Sequence, residues 1–353
     1  MKIRSISVEN FTVFREKRKI EFCDGINLLI GANGTGKSHL LKLIYSVMKA
    51  AENGHARSTL EASSYENRIA LKLAGVFKPD DDGINRLINR TPGMAPSAKI
   101  ALTTTEGVSS FEITGKNNIR KAKSGIAGAR ESIFLPSREV LAMYEGFLPS
   151  YEKRELAFDE TYADVCKALS ASQVRGKKQD FIKKLVKPLE DAVGGKIRLD
   201  GNRFYLLLKD GGKVEAHLLA EGWRKLGSVV QLIANGSLME NGYLFWDEPE
   251  ANLNPKMVRI VVQFLVRLAA KGVQVFVATH DYLLSGELSL MAEYREQLAA
   301  EDRVPIRFIG LSRTEAGSVD VASADTLPQL AENPILDEFA AHYDRENQYL
   351  INS

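Results

Sequence analysis

Asn27-Leu-Leu-Ile-Gly-Ala-Asn-Gly-Thr-Gly-Lys-Ser-His39 is the stretch from which the fold is read. Asn27–Ile30 is a short apolar run, the pattern of a buried strand. Gly31–Ser38 then fits G-x-x-x-x-G-K-[ST], a phosphate-binding loop. Gly31, Gly34 and Gly36 permit backbone geometries that a side chain forbids, so successive N–H groups can curl around a phosphate. The run Ser38–Met48 continues as a helix, whose N-terminus faces the same anion. A strand before and a helix after set this match apart from a chance Gly-rich turn. In such a loop the lysine, here Lys37, reaches the β- and γ-phosphates, and the hydroxyl of Ser38 ligates Mg²⁺. The expected ligand is ATP with Mg²⁺. The expected nucleotide-binding residues are Gly31, Ala32, Asn33, Gly34, Thr35, Gly36, Lys37, Ser38 and His39.

Tyr243-Leu-Phe-Trp-Asp-Glu-Pro-Glu250 is a second apolar strand pattern, and it ends in two adjacent acids. Asp247 stands where a Walker-B acid holds Mg²⁺. Glu248 follows at once, and a carboxylate there can take a proton from an attacking water. Downstream, Val273–Ala278 is another buried strand pattern, ending in Thr279-His280-Asp281. A histidine at that strand end can contact the γ-phosphate or orient the water. The catalytic candidates are therefore Glu248, His280 and Lys37, and the metal candidates are Ser38 and Asp247. A solvated loop acid and an ordinary structural histidine are the alternatives for Glu248 and His280.

These motifs, with Ala251-Asn-Leu-Asn-Pro255 after the acids, resemble the ABC-type ATPase superfamily. Transporter subunits, SMC proteins and SMC-like repair ATPases share the set. Within it, LFWDEPEANLNP and FVATHD look most like soluble bacterial AAA-family ATPases of the OLD-like type. The resemblance covers the first fifty residues and the region 215–345, and the middle matches loosely. It implies an α/β head, with ATP sandwiched between two heads of a homodimer or higher homo-oligomer. In such a sandwich a signature segment of one head contacts the γ-phosphate held by the other. The candidate is Leu219-Ala-Glu-Gly-Trp-Arg-Lys-Leu-Gly227. Gly222 matches a signature glycine, while Ala220 replaces the signature serine, so that hydroxyl contact is missing. Glu221, Gly222 and Lys225 are the expected contacts; either the helix N-terminus and Arg224 or Lys225 supply the charge, or activation by the second head is weak. An ordinary amphipathic helix is the alternative. No Q-loop glutamine is evident, and Ser137-Arg138 after Ile133–Leu135 occupies the equivalent place.

The 353 residues suffice for one large core or two subdomains. An apolar fraction of 44% and a charged fraction of 26% are those of an ordinary globular protein. The net charge of +2 implies no global attraction to nucleic acid. Two cysteines, Cys23 and Cys166, are too few for a disulfide framework or a zinc site. No apolar run has membrane-spanning length, and the N-terminus lacks a signal peptide's apolar segment, so a cytoplasmic protein is expected.

The expected fold class is an α/β, ABC-type P-loop ATPase head with an N-terminal antiparallel β arm and an inserted helical subdomain. Residues 1–50 and 215–353 form the ATPase core. Ile3–Phe11 and Val13–Phe22 read as a hairpin arm. Residues 51–138 are expected to be an antiparallel β region, with strands at Tyr65–Phe77, Ala98–Thr105 and Ser109–Ile113. Residues 139–195 have helical spacing without sustained heptads, and are read as a compact helical subdomain in the place of an SMC coiled coil. Residues 196–214 read as a hairpin. Pro305–Leu311 and Ser318–Val321 are two further strands, and Leu327–Tyr343 a terminal helix.

Arg175, Lys177, Lys178, Lys183, Lys184 and Lys187 form one basic cluster, and Lys116, Arg120, Lys121, Lys123 and Arg130 a second. Each is a candidate phosphate-backbone contact or simply a solvated face. Glu145, Glu152, Glu155, Asp159, Glu160 and Asp164 read as surface charge. OLD-family proteins usually carry a C-terminal TOPRIM nuclease, and residues 281–353 are expected to be too short for one. The resemblance therefore extends to ATPase subunits of two-gene anti-phage (antiviral defence) systems such as PARIS, Septu and some retrons, in which the nuclease or toxin effector is a separate protein. An SMC-like or RecF-like ATPase acting directly on DNA is the alternative. A transporter subunit fits least.

Overall fold

The computed structural model describes residues 1–52, 64–89, 97–126, 130–172, 179–238, 242–331 and 333–351, with only the backbone considered at 179–184, 334 and 351. Its centre is a six-stranded sheet in the order β14-β13-β3-β12-β11-β7. These strands are β3 (Ile26–Ile30), β7 (Ser132–Leu135), β11 (Tyr243–Asp247), β12 (Gln274–Thr279), β13 (Ile306–Arg313) and β14 (Val319–Ala324). All neighbours run parallel except β14, which pairs antiparallel with β13. The inner strands β3 and β12 are buried at every position, as expected of a parallel sheet covered on both faces.

Period-2 alternation divides the strands between two cores. One face collects Leu28, Leu244, Trp246, Val275 and Val277. The other collects Leu29, Tyr243, Phe245, Phe276 and Phe134. This second face is aromatic: the Phe245 and Phe276 rings stack at 5.0 Å, and Phe22 meets Phe276 edge-on at 5.1 Å.

Helix α1 (Lys37–Ala51) leaves the phosphate loop and packs on the aromatic face, where Tyr45 lies 5.4 Å from the Phe134 ring. Above it, β1 (Ile3–Glu9), β2 (Arg18–Glu21), β4 (Ser97–Thr104), β5 (Val108–Thr114) and β6 (Ile119–Ser124) form an antiparallel sheet in the order β2-β1-β4-β5-β6. The expected arm is therefore present. Helix α2 (Tyr65–Phe77) lies where a strand was expected. Its buried residues Ile69, Leu73 and Val76 recur at helical spacing, and Ser64 caps it by accepting from Asn67 N. Strand β6 was missed because its exposed cations hide the alternation. Ser132–Leu135 joins the central sheet beside β11 rather than the antiparallel one.

The opposite face is covered by α3 (Phe147–Glu152), α4 (Glu160–Leu169), α5 (Gln179–Val193), α6 (Glu221–Ala234) and α7 (Pro255–Ala270). The helices of 139–195 share one continuous core with the sheet: Tyr162, Val165 and Leu189 cluster with Trp246 and Val277. Strands β8 (Gly195–Asp200), β9 (Arg203–Leu208) and β10 (Lys213–Glu215) make a small sheet, so the expected hairpin carries a third strand. Helix α8 (Tyr282–Glu293) follows β12. The last helix, α9 (Pro334–Ile351), starts later than the sequence pattern implied.

Of the first basic cluster, Arg175, Lys177 and Lys178 lie outside the described residues. Lys183 and Lys184 are described as α5 backbone only, and Lys187 pairs with Asp191 at 3.1 Å. In the second, Lys116, Arg120, Lys121 and Lys123 are exposed, on β6 and the turn before it, and Lys121 pairs with Glu112. Asp159, Glu160 and Asp164 are not free surface charges. Asp159 holds Lys42 of α1 at 2.7 Å, Asp164 accepts from Tyr45 and Lys72, and Glu160 also pairs with Lys72. The acids thus tie α4 to α1 and α2, which explains their spacing along one helix. Among the described residues, no helix is long and apolar enough to cross a membrane.

Candidate nucleotide site

Because β3, β11 and β12 run parallel, their C-terminal ends lie side by side. Thr279 is in register with Ile30, and Asp247 with Ala278. Open α/β sheets bind ligands outside the C-terminal ends of their strands, and the motif residues converge there.

The phosphate loop is held from several directions. Thr35 Oγ1 donates to Ala32 O at 2.9 Å, and Arg313 of β13 donates to Gly34 O at 2.9 Å. Gly36, at φ +93°, caps α1 without any side-chain bond, which leaves the first N–H groups of the helix facing the loop. A Cβ on Gly36 would lie 2.5 Å from Val13 Cγ2, and one on Gly31 2.3 Å from Leu311 O. The loop therefore fits between the arm and β13 only as glycine at these two points. Lys37 is buried, and its Nζ donates to Gly31 O at 2.7 Å and Ala32 O at 3.0 Å. Burial lowers its pKa, and the charges of Asp247, Glu248 and Glu250 oppose that shift. Ala32 and Asn33 are exposed at the rim. His39 sits one turn into α1 with its ring edge-on to Phe77 at 5.8 Å.

Ser38 Oγ donates to Asp247 Oδ1 at 3.0 Å. Adjacent oxygens of a magnesium octahedron, each about 2.1 Å from the metal, stand about 3 Å apart. The pair therefore fits one edge of such a shell. Burial raises the pKa of Asp247, and the Ser38 hydrogen bond opposes the rise. No group of three or more His, Cys, Asp or Glu among the described residues is arranged to hold a metal unaided.

Glu248 lies in the left-handed region at φ +47°, where non-glycine residues are uncommon. Its N–H extends the sheet ladder by donating to Ala278 O at 2.9 Å. This turn brings its carboxylate to 3.2 Å from Nδ1 of His280, with the carboxylate one-third exposed and the imidazole half-exposed. Behind them is a residue that the sequence reading passed over. Glu250 is buried, accepts from Thr279 Oγ1 at 2.6 Å, and has no partner on Oε2. Burial raises its pKa. The spacing DEPE was its only sequence signal.

The signature segment is placed differently from expectation. Lys225, expected to supply charge toward a second head, is 4% exposed and turned into its own chain. It donates to Glu248 O at 2.5 Å and to Ala251 O at 3.3 Å. Arg224 is likewise engaged internally, with Glu139 at 2.7 Å and with Leu219 O. The buried stripe of α6 takes Lys225 inward, and Arg224 beside it is partly exposed. Glu221 accepts from Asn252 Nδ2 at 2.8 Å, and Gly222 packs on Asn252 O and Leu253. Ala220 is the N-cap of α6 and makes no side-chain cap bond. Arg138 is exposed, close after β7.

Residues 1–135 match a family described as AAA ATPase domain, and residues 130–286 one described as AAA domain, putative AbiEii toxin, Type IV TA system. A stretch of 89 residues, 24% of the chain, is 30% identical to the chromosome partition protein Smc of Halobacteriovorax marinus. A stretch of 44 residues, 12% of the chain, is 48% identical to the DNA replication and repair protein RecF of Caldanaerobacter subterraneus subsp. tengcongensis. The matches span only 7% and 12% of those relatives' lengths. An Smc head bound to the C-terminal winged-helix domain of ScpA superposes with a TM-score of 0.55 at 14% identity, over 93% of this chain and 98% of that one. The Smc head with an extended coiled coil from Pyrococcus furiosus gives 0.50 at 14% identity, over 92% and 96%. At that identity the likeness concerns the fold. The expected α/β head is therefore the observed fold, and two stretches of the chain match AAA-family ATPase domains.

Proposed function

We propose that the protein binds ATP with Mg²⁺ at Gly31–His39 and hydrolyses it to ADP and phosphate. The observation that carries this is the meeting of Lys37, the Ser38–Asp247 pair and the Glu248–His280 pair at the ends of three adjacent parallel strands. The loop N–H groups and Lys37 would hold the β- and γ-phosphates. Ser38 and Asp247 would hold the magnesium, which neutralises phosphate charge. Glu248 takes the proton of the attacking water, and His280 orients the carboxylate and the water between them. The two side chains are exposed enough to meet a ligand and close enough to act together.

The cycle we infer is engagement of two heads on ATP and release on hydrolysis. The N-terminus of α6, at Ala220 and Glu221, faces the partner head, while Gly222 and Lys225 act from within their own head. Engagement gates a separate nuclease or toxin effector in anti-phage defence, in the cytoplasm. The toxin–antitoxin description of the family matched by residues 130–286 supports that reading. The Smc and RecF stretches favour a second one, in which the head acts on DNA directly. To decide, Glu248→Gln is purified with its neighbouring gene products in ATP and Mg²⁺. Retained nucleotide, lost turnover and a stoichiometric effector protein are expected. A bare dimer carrying DNA would favour the second reading, and undiminished turnover would remove Glu248 as the base.

A further inference from the structure

We propose that Lys225 is a positioning residue that fixes the backbone of the catalytic loop, so that the start of α6 and Glu248 move as one body. The inference rests on the ATPase reading above for its consequence, although its geometry stands alone. The loop Glu248–Leu253 contains two non-glycine residues in the left-handed region, Glu248 at φ +47° and Asn252 at φ +64°. Such conformations persist only where the surroundings over-determine them. The peptide after Glu248 enters Pro249, which has no N–H, so only its carbonyl can be held.

Lys225 holds that carbonyl, which also accepts from Ala251 N at 3.2 Å across the turn. Its ammonium bridges Glu248 O and Ala251 O across the turn, from a position shielded from solvent. Two further contacts close the clasp. Asn252 Nδ2 donates to Glu221 Oε1, and Gly222 lies so close to the loop that a Cβ would meet Leu253 Cδ2 at 2.8 Å and Asn252 O at 2.9 Å. Glu221, Gly222 and Lys225 therefore grip the loop from the first turns of one helix. A displacement of the α6 N-terminus cannot leave Glu248 where it was. Contact made by a second head on that N-terminus would thus be felt at the carboxylate that faces His280.

The test uses the full chain with Lys225→Met and Lys225→Arg. Hydrogen exchange of the peptide covering 243–254 is measured beside that of the phosphate loop, together with ATP affinity and kcat. For Lys225→Met we expect exchange in 243–254 to rise about tenfold or more while the phosphate loop stays protected. ATP affinity should stay within about threefold while kcat falls at least about tenfold. Lys225→Arg, which keeps the charge and the donors, should restore much of both. Unchanged exchange in folded Lys225→Met overturns the proposal, whatever the turnover. If Lys225→Met does not fold, Asn252→Ala is used instead; it removes the partner of Glu221 and should raise the same exchange, and no rise overturns the proposal. Wild-type protein without turnover, but with the exchange difference intact, would sink the ATPase reading and leave the clasp standing.

Discussion

Replacing Gly36 by alanine isolates what the phosphate loop demands of its sequence. Gly36 has φ +93° and ψ 13°, so alanine there pays the left-handed penalty, about 1–2 kcal/mol. It also meets an obstacle. The new Cβ would stand 2.5 Å from Val13 Cγ2 and 3.3 Å from Phe14 Cε2. Phe14 is fully buried, so relief must come from Val13 or from the loop itself. Overpacking of this kind costs about 1–3 kcal/mol. The expected loss is therefore about 2–5 kcal/mol in all. Gly146→Ala is the matched control. Its φ is +74°, but nothing lies within 4 Å of the added Cβ, so only the backbone penalty of about 1–2 kcal/mol applies. Urea denaturation of both variants gives the comparison, and ATP titration gives the functional one. Gly36→Ala should be the less stable by about 1–3 kcal/mol and bind ATP at least about tenfold more weakly, with Gly146→Ala near wild type in affinity. Equal losses in stability, with affinity intact in both, would refute the packing argument.

Ser38→Ala removes one of two oxygens that meet at 3.0 Å, so the Mg²⁺ concentration for half-maximal ATP binding should rise about tenfold, read by titration. Lys72→Met strands Asp164 and Glu160, each within 2.9 Å of the lysine, and should cost about 3 kcal/mol in urea denaturation. The stability of the wild type relative to Lys225→Met should rise with pH through the window that starts near 8. Burial brings the pKa of Lys225 down to about 8 from 10.5. Between those values the unfolded chain keeps a proton that the folded one has released, so raising the pH favours folding. Relative to Lys225→Met, the wild type should gain up to roughly 3 kcal/mol across that window, measured by denaturation at several pH values.

The elements that read clearly from sequence are those whose local pattern has one interpretation. Asn27–Ile30 followed by the Gly-rich loop, and Tyr243–Asp247 and Val273–Ala278 as apolar runs, became β3, β11 and β12 because a strand buried on both faces needs no alternation to be recognised. Tyr65–Phe77 failed for the opposite reason. Its apolar residues satisfy both periods over a short window, and only packing on α1 and the Ser64 cap select the helix. The place of Ser132–Leu135 depends on a pairing with β11, more than a hundred residues away, which no local pattern encodes.

The site divides along the same line. The convergence of the motif residues in the loop and at the strand ends could be expected from sequence because it follows from spacing along the chain. Lys225 was not, because its role depends on which way a helix turns. Its neighbours in sequence, Trp223 to Leu226, read as an amphipathic helix with a basic face, and a basic face suggests solvent or a partner's phosphate. The buried stripe of α6 instead faces the core, and there an ammonium is tolerable only beside acceptors. The carbonyls of Glu248 and Ala251 are those acceptors, the first of them also accepting from Ala251 N at 3.2 Å within the turn that presents Glu248 to His280. The turn therefore supplies the acceptors that the buried lysine needs, and the lysine adds its hold to the turn's own Ala251 N–Glu248 O bond. A chain that kept the Asp-Glu pair but lost Lys225 would keep the motif and misplace the carboxylate.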